Sequence, residues 1–176
     1  MEISKLLLAT DGSANARRAL ETAAGLATPT GASVSLIHAI TDGPVANELL
    51  EWARLEHGVD TRADTQPATA HSPGFGRLGV PHHTNTTQIT RRARSALGEA
   101  ILTDASRTLA NLGVTVANTY MEEGDPAEVI AEATRTEAPS ITVLGTRGMG
   151  PVRGVMMGSV AHKVLGMHET PTLIVP

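Results

Sequence analysis

The chain has 176 residues, of which 41% are hydrophobic and 18% charged, and its formal net charge is -4. This composition predicts one packed domain over residues 1–176 and argues against nucleic-acid binding, which needs a basic surface. The lack of cysteine excludes disulfides, thiolate zinc sites and a cysteine nucleophile. The apolar run near residue 5 is too short for a signal peptide or a membrane span, so we expect a cytoplasmic protein that does not bind membranes.

The first forty residues predict a β-α-β unit. Lys5–Ala9 is a short apolar run typical of a buried strand, and the turn Thr10–Ser13 follows it. The serine of this turn can cap a helix, which Pro29 and Gly31 end. Val34–Ile40 predicts a second strand, and parallel pairing is the default for such a unit.

The middle of the chain is less regular. Val45–His57 predicts a helix, and helical spacing resumes around Thr86 and continues to Gly113. Between them, residues 58–84 are rich in Pro, Gly, Thr and His and show no periodicity, so we interpret them as a flexible surface insertion.

Two groups of polar residues in this region have alternative interpretations. The group His71, His82 and His83 suggests a metal site, but no further ligand stands at helical spacing, which favours a polar loop. The group Arg91, Arg92 and Arg94 suits either a partner surface or a solvated helix face, and the second is more common.

The last third of the chain predicts alternating strands and helices. The strands are Val114–Tyr120, Ile141–Leu144 and Thr172–Val175, and the helices begin at Asp125-Pro126 and at about Met157. The resulting order predicts an α/β fold with a doubly wound, open, parallel five-stranded sheet and helices on both faces. If the strand order is 3-2-1-4-5, Asp11 and Gly145 follow two central strands at the switch point where ligands bind.

The segment from Gly145 to Ser159 contains five glycines between a strand and a helix. Glycine allows backbone amides to approach a ligand closely, and a helix amino terminus favours an anion. Arg147 and Arg153 add positive charge, so the segment suits a polyphosphate. It is not a P-loop, because Lys163 lies five residues beyond Gly158.

The spacing Gly145-x2-Gly148-x9-Gly158-Ser159 resembles the G-2x-G-9x-G-[ST] signature of ATP-binding universal stress proteins. The opening Thr10–Ser13 and the closing apolar strand also resemble that family, over roughly the whole chain except the insertion. The resemblance implies a fold like that of the adenine nucleotide alpha hydrolases. It also implies ATP as the ligand, with Mg²⁺ or Mn²⁺ bound through the phosphates, since the chain has no obvious metal cage of its own.

The resemblance further implies roles for individual residues. Asp11 should accept hydrogen bonds from the ribose, and Ala39 and Leu144 should line the adenine slot. The other implied contacts are Ala9 and Thr10 beside the nucleoside and Gly145, Thr146, Arg147, Gly148, Gly158, Ser159 and Val160 at the phosphates.

The preferred hypothesis is a nucleotide-binding stress or regulatory protein with little or no ATP turnover, since no residue is placed as a general base and no catalytic residue is assigned. The alternatives are a nucleotide-hydrolysing enzyme of a related α/β fold, and a protein that binds AMP or cyclic AMP. The apolar last strand suggests a sheet edge, where members of this family commonly form homodimers. The sequence does not identify a protein partner.

Overall fold

The computed structural model describes residues 2–42, 45–59, 66–67, 86–148, 157–167 and 170–176. The strands in these ranges are β1 (Lys5–Ala9), β2 (Ser33–Ile40), β3 (Val45–Ala46), β4 (Gln66–Pro67), β5 (Thr86–Gln88), β6 (Val116–Glu123), β7 (Ile141–Gly145) and β8 (Thr172–Val175). The helices are α1 (Ala14–Thr30), α2 (Asn47–His57), α3 (Arg91–Asn111), α4 (Pro126–Glu137) and α5 (Ser159–Leu165).

Five of these strands form one parallel sheet in the order β6-β2-β1-β7-β8. Counted along the chain, this is the predicted order 3-2-1-4-5, so the predicted fold is confirmed. The carboxyl ends of β1 and β7 are neighbours, since Leu8 of β1 pairs with Val143 of β7. The residues that follow these two strands therefore meet at one edge of the sheet.

Two apolar layers cover the two faces of this sheet. On one face, the alanine-rich side of α1 packs with α3 against residues such as Leu6, Leu8 and Val143. On the other face, α4 and α5 pack against Leu7 and Ile37. Because β1 is buried on both faces, it is apolar along nearly its whole length, as parallel strands usually are.

Several predicted boundaries are wrong, including the end of the first helix, which continues through Pro29 to Thr30. The helix predicted from Val45 begins at Asn47, because β3 pairs antiparallel with β5 in a separate small sheet. The pattern predicted to be helical from Thr86 is strand β5 first, and α3 begins only after its N-cap Thr90.

A further wrong boundary is the start of β6, which lies at Val116 rather than Val114. The Val114 amide donates to Leu109 O at 3.0 Å, so this residue lies beyond α3 and is still bonded to the end of that helix. Gly113 between them has a φ of 75°, which is the usual way in which a glycine ends a helix. The last helix begins at Ser159 rather than at about Met157, and it ends at Leu165.

The predicted insertion at 58–84 lies outside the described residues, apart from Gly58, Val59 and strand β4. The histidines at 71, 82 and 83 lie outside them as well. None of the described helices is both long and apolar enough to cross a membrane.

Candidate functional site

The turn after β1 holds Asp11 at the start of α1. Asp11 Oδ1 accepts a hydrogen bond from the Ser13 amide at 3.0 Å, and the Ser13 hydroxyl accepts one from the Ala16 amide at 3.1 Å. Ser13 is therefore the N-cap of α1, as its position in the sequence predicts. Through these two hydrogen bonds, the start of α1 holds the Asp11 carboxylate in place at the edge of the sheet.

Gly12 allows the same turn to pack against two helices. Its φ of 77° lies in the left-handed region, which favours glycine. A Cβ at this position would lie 3.1 Å from Ile101 Cγ1 and 3.2 Å from Leu49 Cδ1. The helices α2 and α3 therefore cover this side of the turn.

Gly145, at the end of β7, allows α1 to approach the sheet closely. A Cβ here would lie 2.9 Å from both the carbonyl carbon and the Cβ of Asn15. The Asn15 side-chain amide also donates to Thr146 Oγ1 at 3.2 Å. A glycine is thus required at position 145 because α1 packs so closely against it. Asn15, the residue of α1 that Gly145 accommodates, also orients the side chain of Thr146.

Gly158 brings the end of the glycine segment back to its beginning. Its amide donates to Thr146 O at 2.7 Å, and an added Cβ would lie 3.1 Å from the same oxygen. The Thr146 amide donates in turn to Val175 O of β8 at 2.6 Å. The two ends of the segment are therefore fixed to each other and to the sheet, while residues 149–156, including Arg153, lie outside the described residues.

Gly148 lies directly against the Asp11 carboxylate. A Cβ at Gly148 would overlap Asp11 Oδ2. This is the contact that joins the two halves of the predicted site, since one residue follows β1 and the other follows β7. The fold therefore brings together a carboxylate and an exposed glycine backbone that are far apart in the sequence.

The other predicted site residues differ in exposure. Arg147 and Ser159 are exposed, Ala39 and Val160 are half-buried, and Thr10 is 8% exposed. Ala9 and Leu144 belong to the apolar layer between the sheet and helices α4 and α5. Their side chains are buried beneath the candidate site, so a ligand would reach their backbone more easily than their side chains.

Lys163, the lysine that follows the glycine segment, is engaged elsewhere. Its Nζ lies 2.8 Å from Asp125 Oδ2, the N-cap residue of α4. The hydrogen bond from Lys163 lowers the pKa of Asp125, and the same bond raises the pKa of Lys163. Because this pair is exposed, it links the surfaces of α4 and α5 and contributes little to stability.

Two residues of the site are not predicted from the sequence. Asn15 orients Thr146, and His38 contacts the Thr10 carbonyl through its Nδ1 at 2.9 Å. Burial lowers the pKa of His38, which is 8% exposed. The only sequence signal for Asn15 is its place four residues after Asp11, and that spacing alone does not specify a role.

The arrangement combines a hydrogen-bond acceptor with a backbone that accommodates a close ligand. Asp11 can accept from hydroxyl groups, and the exposed backbone near Gly148 can donate to an anion. In the part of the chain that the structure describes, no group of three or more His, Asp or Glu side chains is arranged to hold a metal ion.

Comparison with known proteins supports a single family. The chain is 29% identical over 172 residues to the universal stress protein YxiE of Bacillus subtilis, and the match covers 98% of each chain. A universal stress protein of Archaeoglobus fulgidus in complex with dAMP matches with a TM-score of 0.61 at 16% identity, over 100% of both chains.

A protein of the universal stress protein family from Arabidopsis thaliana, with AMP bound, matches with a TM-score of 0.58 at 16% identity. This match covers 98% of this chain and 90% of that one. At such low identity, these two structures establish the likeness of the fold alone. The profile of the universal stress protein family matches residues 2–176. The chain therefore belongs to the universal stress protein family.

Proposed function

We propose that this protein binds ATP at the carboxyl ends of β1 and β7 and acts as a nucleotide-dependent stress regulator. The contact between Asp11 and Gly148 carries the proposal, because it places a carboxylate beside a backbone that has no side chain to exclude a ligand. Two of the structural relatives hold adenine nucleotides, dAMP in one and AMP in the other. Adenine nucleotides are therefore the ligand class that we infer.

The nucleoside half of the ligand would lie near Asp11 and the end of β2. Asp11 would accept hydrogen bonds from the ribose hydroxyls, and the half-buried Ala39 would contact the base. The backbone of Ala9, Thr10 and Leu144 would border it. With aromatic residues at 2% of the chain, the base would rest on aliphatic side chains rather than on a stacking ring.

The phosphate half would lie along the glycine segment. Gly145 and Gly158 would shape the segment, and Thr146, Arg147, Gly148, Ser159 and Val160 would face the phosphates. Arg147 is exposed, so its guanidinium can turn toward an anion. A Mg²⁺ or Mn²⁺ ion would be held mainly by the phosphate oxygens.

We expect binding with little or no turnover. Asp11 is assigned to the ribose, and efficient hydrolysis would need a further group to position the attacking water. The nucleotide would instead regulate contacts between two copies of the chain or with another protein. Phosphate release from ATP at enzyme-like rates by the purified protein would overturn this part of the proposal.

Mass spectrometry of the ligand released from freshly purified protein tests the nucleotide directly. We expect to find ATP. Finding only AMP or cyclic AMP would instead favour the alternative, a protein that binds one of those two nucleotides. Calorimetry with all three nucleotides then ranks their affinities. Failure to bind any of them would overturn the proposal.

The Asp11→Asn variant tests the assigned carboxylate. Its side-chain oxygen can still accept from the Ser13 amide, but one acceptor oxygen becomes a donor, so we expect at least about tenfold weaker ATP binding. Glu132→Gln is the control, because Glu132 is an exposed carboxylate on α4 that forms a surface ion pair with Arg135. Equal affinities of the two variants would contradict the role of Asp11.

A further inference from the structure

His38 occupies an unusual position under the site. It lies two residues before the end of β2, and it is 8% exposed. Its Nδ1 lies 2.9 Å from Thr10 O. Because a carbonyl oxygen can only accept, Nδ1 carries the proton and donates this hydrogen bond.

The opposite edge of the ring packs under α3. A Cβ at Gly98 would lie 2.8 Å from His38 Cδ2 and 3.3 Å from His38 Nε2. The same Cβ would lie 2.7 Å from Met121 Sδ of β6. A glycine in the middle of this helix costs stability, so its presence here is explained by the space that the imidazole needs. The ring is therefore held between α3 and the sheet.

The carbonyl that His38 contacts belongs to the peptide group that joins Thr10 to Asp11. The Thr10 amide donates to Ile37 O at 3.0 Å and continues the β1–β2 ladder. The following carbonyl lies beyond the last paired residue of β1, and the His38 ring fixes it. The orientation of that peptide plane constrains the Asp11 backbone from which the carboxylate extends, while the Ser13 amide holds the carboxylate itself.

We propose that His38 is a positioning residue, which aims the Asp11 carboxylate at the ligand by holding the Thr10–Asp11 peptide through its Nδ1–H donor. This inference rests on the proposed nucleotide site and adds a residue to it. His38 would act without contacting the ligand, since it is 8% exposed and the Cδ2–Nε2 edge of its ring faces α3. Burial lowers the pKa of His38 and outweighs both the Thr10 hydrogen bond and the Asp11 carboxylate, which raise it.

Two variants, whose side chains are similar in size, separate the effect of the hydrogen-bond donor at position 38 from the effect of side-chain packing. In His38→Asn the side-chain amide nitrogen takes the place of Nδ1 and can still donate to Thr10 O. In His38→Leu the volume is similar, but the donor is lost. We expect ATP binding by calorimetry to weaken at least about tenfold in His38→Leu and to stay within about threefold of the parent in His38→Asn.

The same pair of variants also gives a readout without nucleotide. In NMR spectra of the full chain, the backbone amide shifts of Asp11 and Gly12 should change in His38→Leu and should be largely retained in His38→Asn. If the parent protein binds no nucleotide, the proposed function fails, but these shifts still decide the role of His38. Equal binding or equal shifts for both variants would overturn the inference, since packing alone would then explain the residue.

If His38→Leu does not fold, the parent protein provides the test. Nitrogen-15 NMR of the imidazole distinguishes the two tautomers, and we expect the proton on Nδ1. A neutral ring with its proton on Nε2 would contradict the hydrogen bond to Thr10 and overturn the inference.

Discussion

At Gly148 the requirement for glycine comes from a neighbouring side chain and not from backbone torsion, because this residue is not among those with positive φ. In Gly148→Ala the new methyl group would overlap Asp11 Oδ2, so either the carboxylate or the segment must move. We expect at least about tenfold weaker ATP binding, measured by calorimetry.

The matched control for this change is Gly25→Ala. A Cβ at Gly25 meets nothing within 4 Å, and the residue lies on the exposed side of α1. This control should bind ATP normally and raise the free energy of unfolding by about 0.5–1 kcal/mol, because alanine favours a helix. Normal ATP binding by Gly148→Ala would mean that the Asp11 contact does not define the site.

Glu137 is a buried charge outside the site, and four groups satisfy it. It accepts hydrogen bonds from Ser35 at 2.7 Å, from Asn118 at 3.2 Å and from Tyr120, and Lys5 Nζ lies 3.3 Å away. The Tyr120 hydrogen bond contributes most to lowering the pKa of Glu137. This network joins the end of α4 to three strands of the sheet.

Glu137→Gln should lower the free energy of unfolding at pH 7 by about 1–3 kcal/mol, since charge-assisted hydrogen bonds are lost. A carboxylate whose pKa is lowered by folding stabilises the protein above its unfolded pKa, and that stability is lost as the pH falls through the folded pKa. The difference between parent and variant should therefore shrink in urea titrations as the pH is lowered below the ordinary value for glutamate. A constant difference would show that the carboxylate's charge is not the cause.

Some residues of the candidate site can be recognised from the sequence and others cannot, because only the first kind stand in short local motifs. Asp11 and the signature glycines stand in short motifs at fixed spacing, so the sequence alone marks them as candidates. Asn15 and His38 act on partners 131 and 28 residues away in the chain. Their roles depend on which strand ends meet, and no short pattern contains that information.

At the scale of elements, α3 organises the edge of the sheet where the proposed site lies. Arg94 donates from Nε to Ile89 O at 3.2 Å and from Nη2 to Asp42 O at 3.1 Å, and Nη1 donates to Thr41 O. It is 8% exposed, so the predicted solvated face is wrong for this residue. The carbonyl groups after β2 need donors, and the long arginine side chain supplies them from the neighbouring helix.

Arg94→Lys should lower the free energy of unfolding by about 2–3 kcal/mol in urea titrations, because one ammonium group cannot reproduce the fork of donors that contacts three carbonyls. Arg92→Lys is the control, since Arg92 is exposed on the same helix and should change stability by less than about 0.5 kcal/mol. Similar free energies of unfolding for the two variants would contradict the role of Arg94 in holding the carbonyl groups after β2.

Element boundaries show the same limit of sequence reasoning. The predicted start of α4 is correct, because Asp125 and Pro126 form a local cap and Asp125 Oδ1 accepts from the Ala127 amide at 2.9 Å. The short strands β3 and β5 are not predicted, because they depend on pairing with each other rather than on their own pattern. Local chemistry thus predicts the helix start, and only the tertiary contacts determine the short strands.

At the scale of the whole molecule, the sheet order leaves β8 at an edge, as the sequence predicts. Pro171 O and Val175 O both accept hydrogen bonds from the β7 side, at 2.9 Å and 2.6 Å. Because backbone groups alternate along a strand, those of Thr172 and Ile174 point away from β7. We propose that this outward-facing row pairs two copies of the chain into a homodimer.

Thr172→Pro tests the homodimer without disturbing the ladder between β7 and β8. Proline removes the amide hydrogen of a residue whose backbone faces outward, a position that an edge strand tolerates. We therefore expect the parent protein to be a dimer and the variant a monomer in light scattering at micromolar concentration. Thr172→Val keeps the amide and a strand-favouring side chain, so it should remain dimeric. A monomeric parent, or a dimeric Thr172→Pro, would contradict pairing through β8.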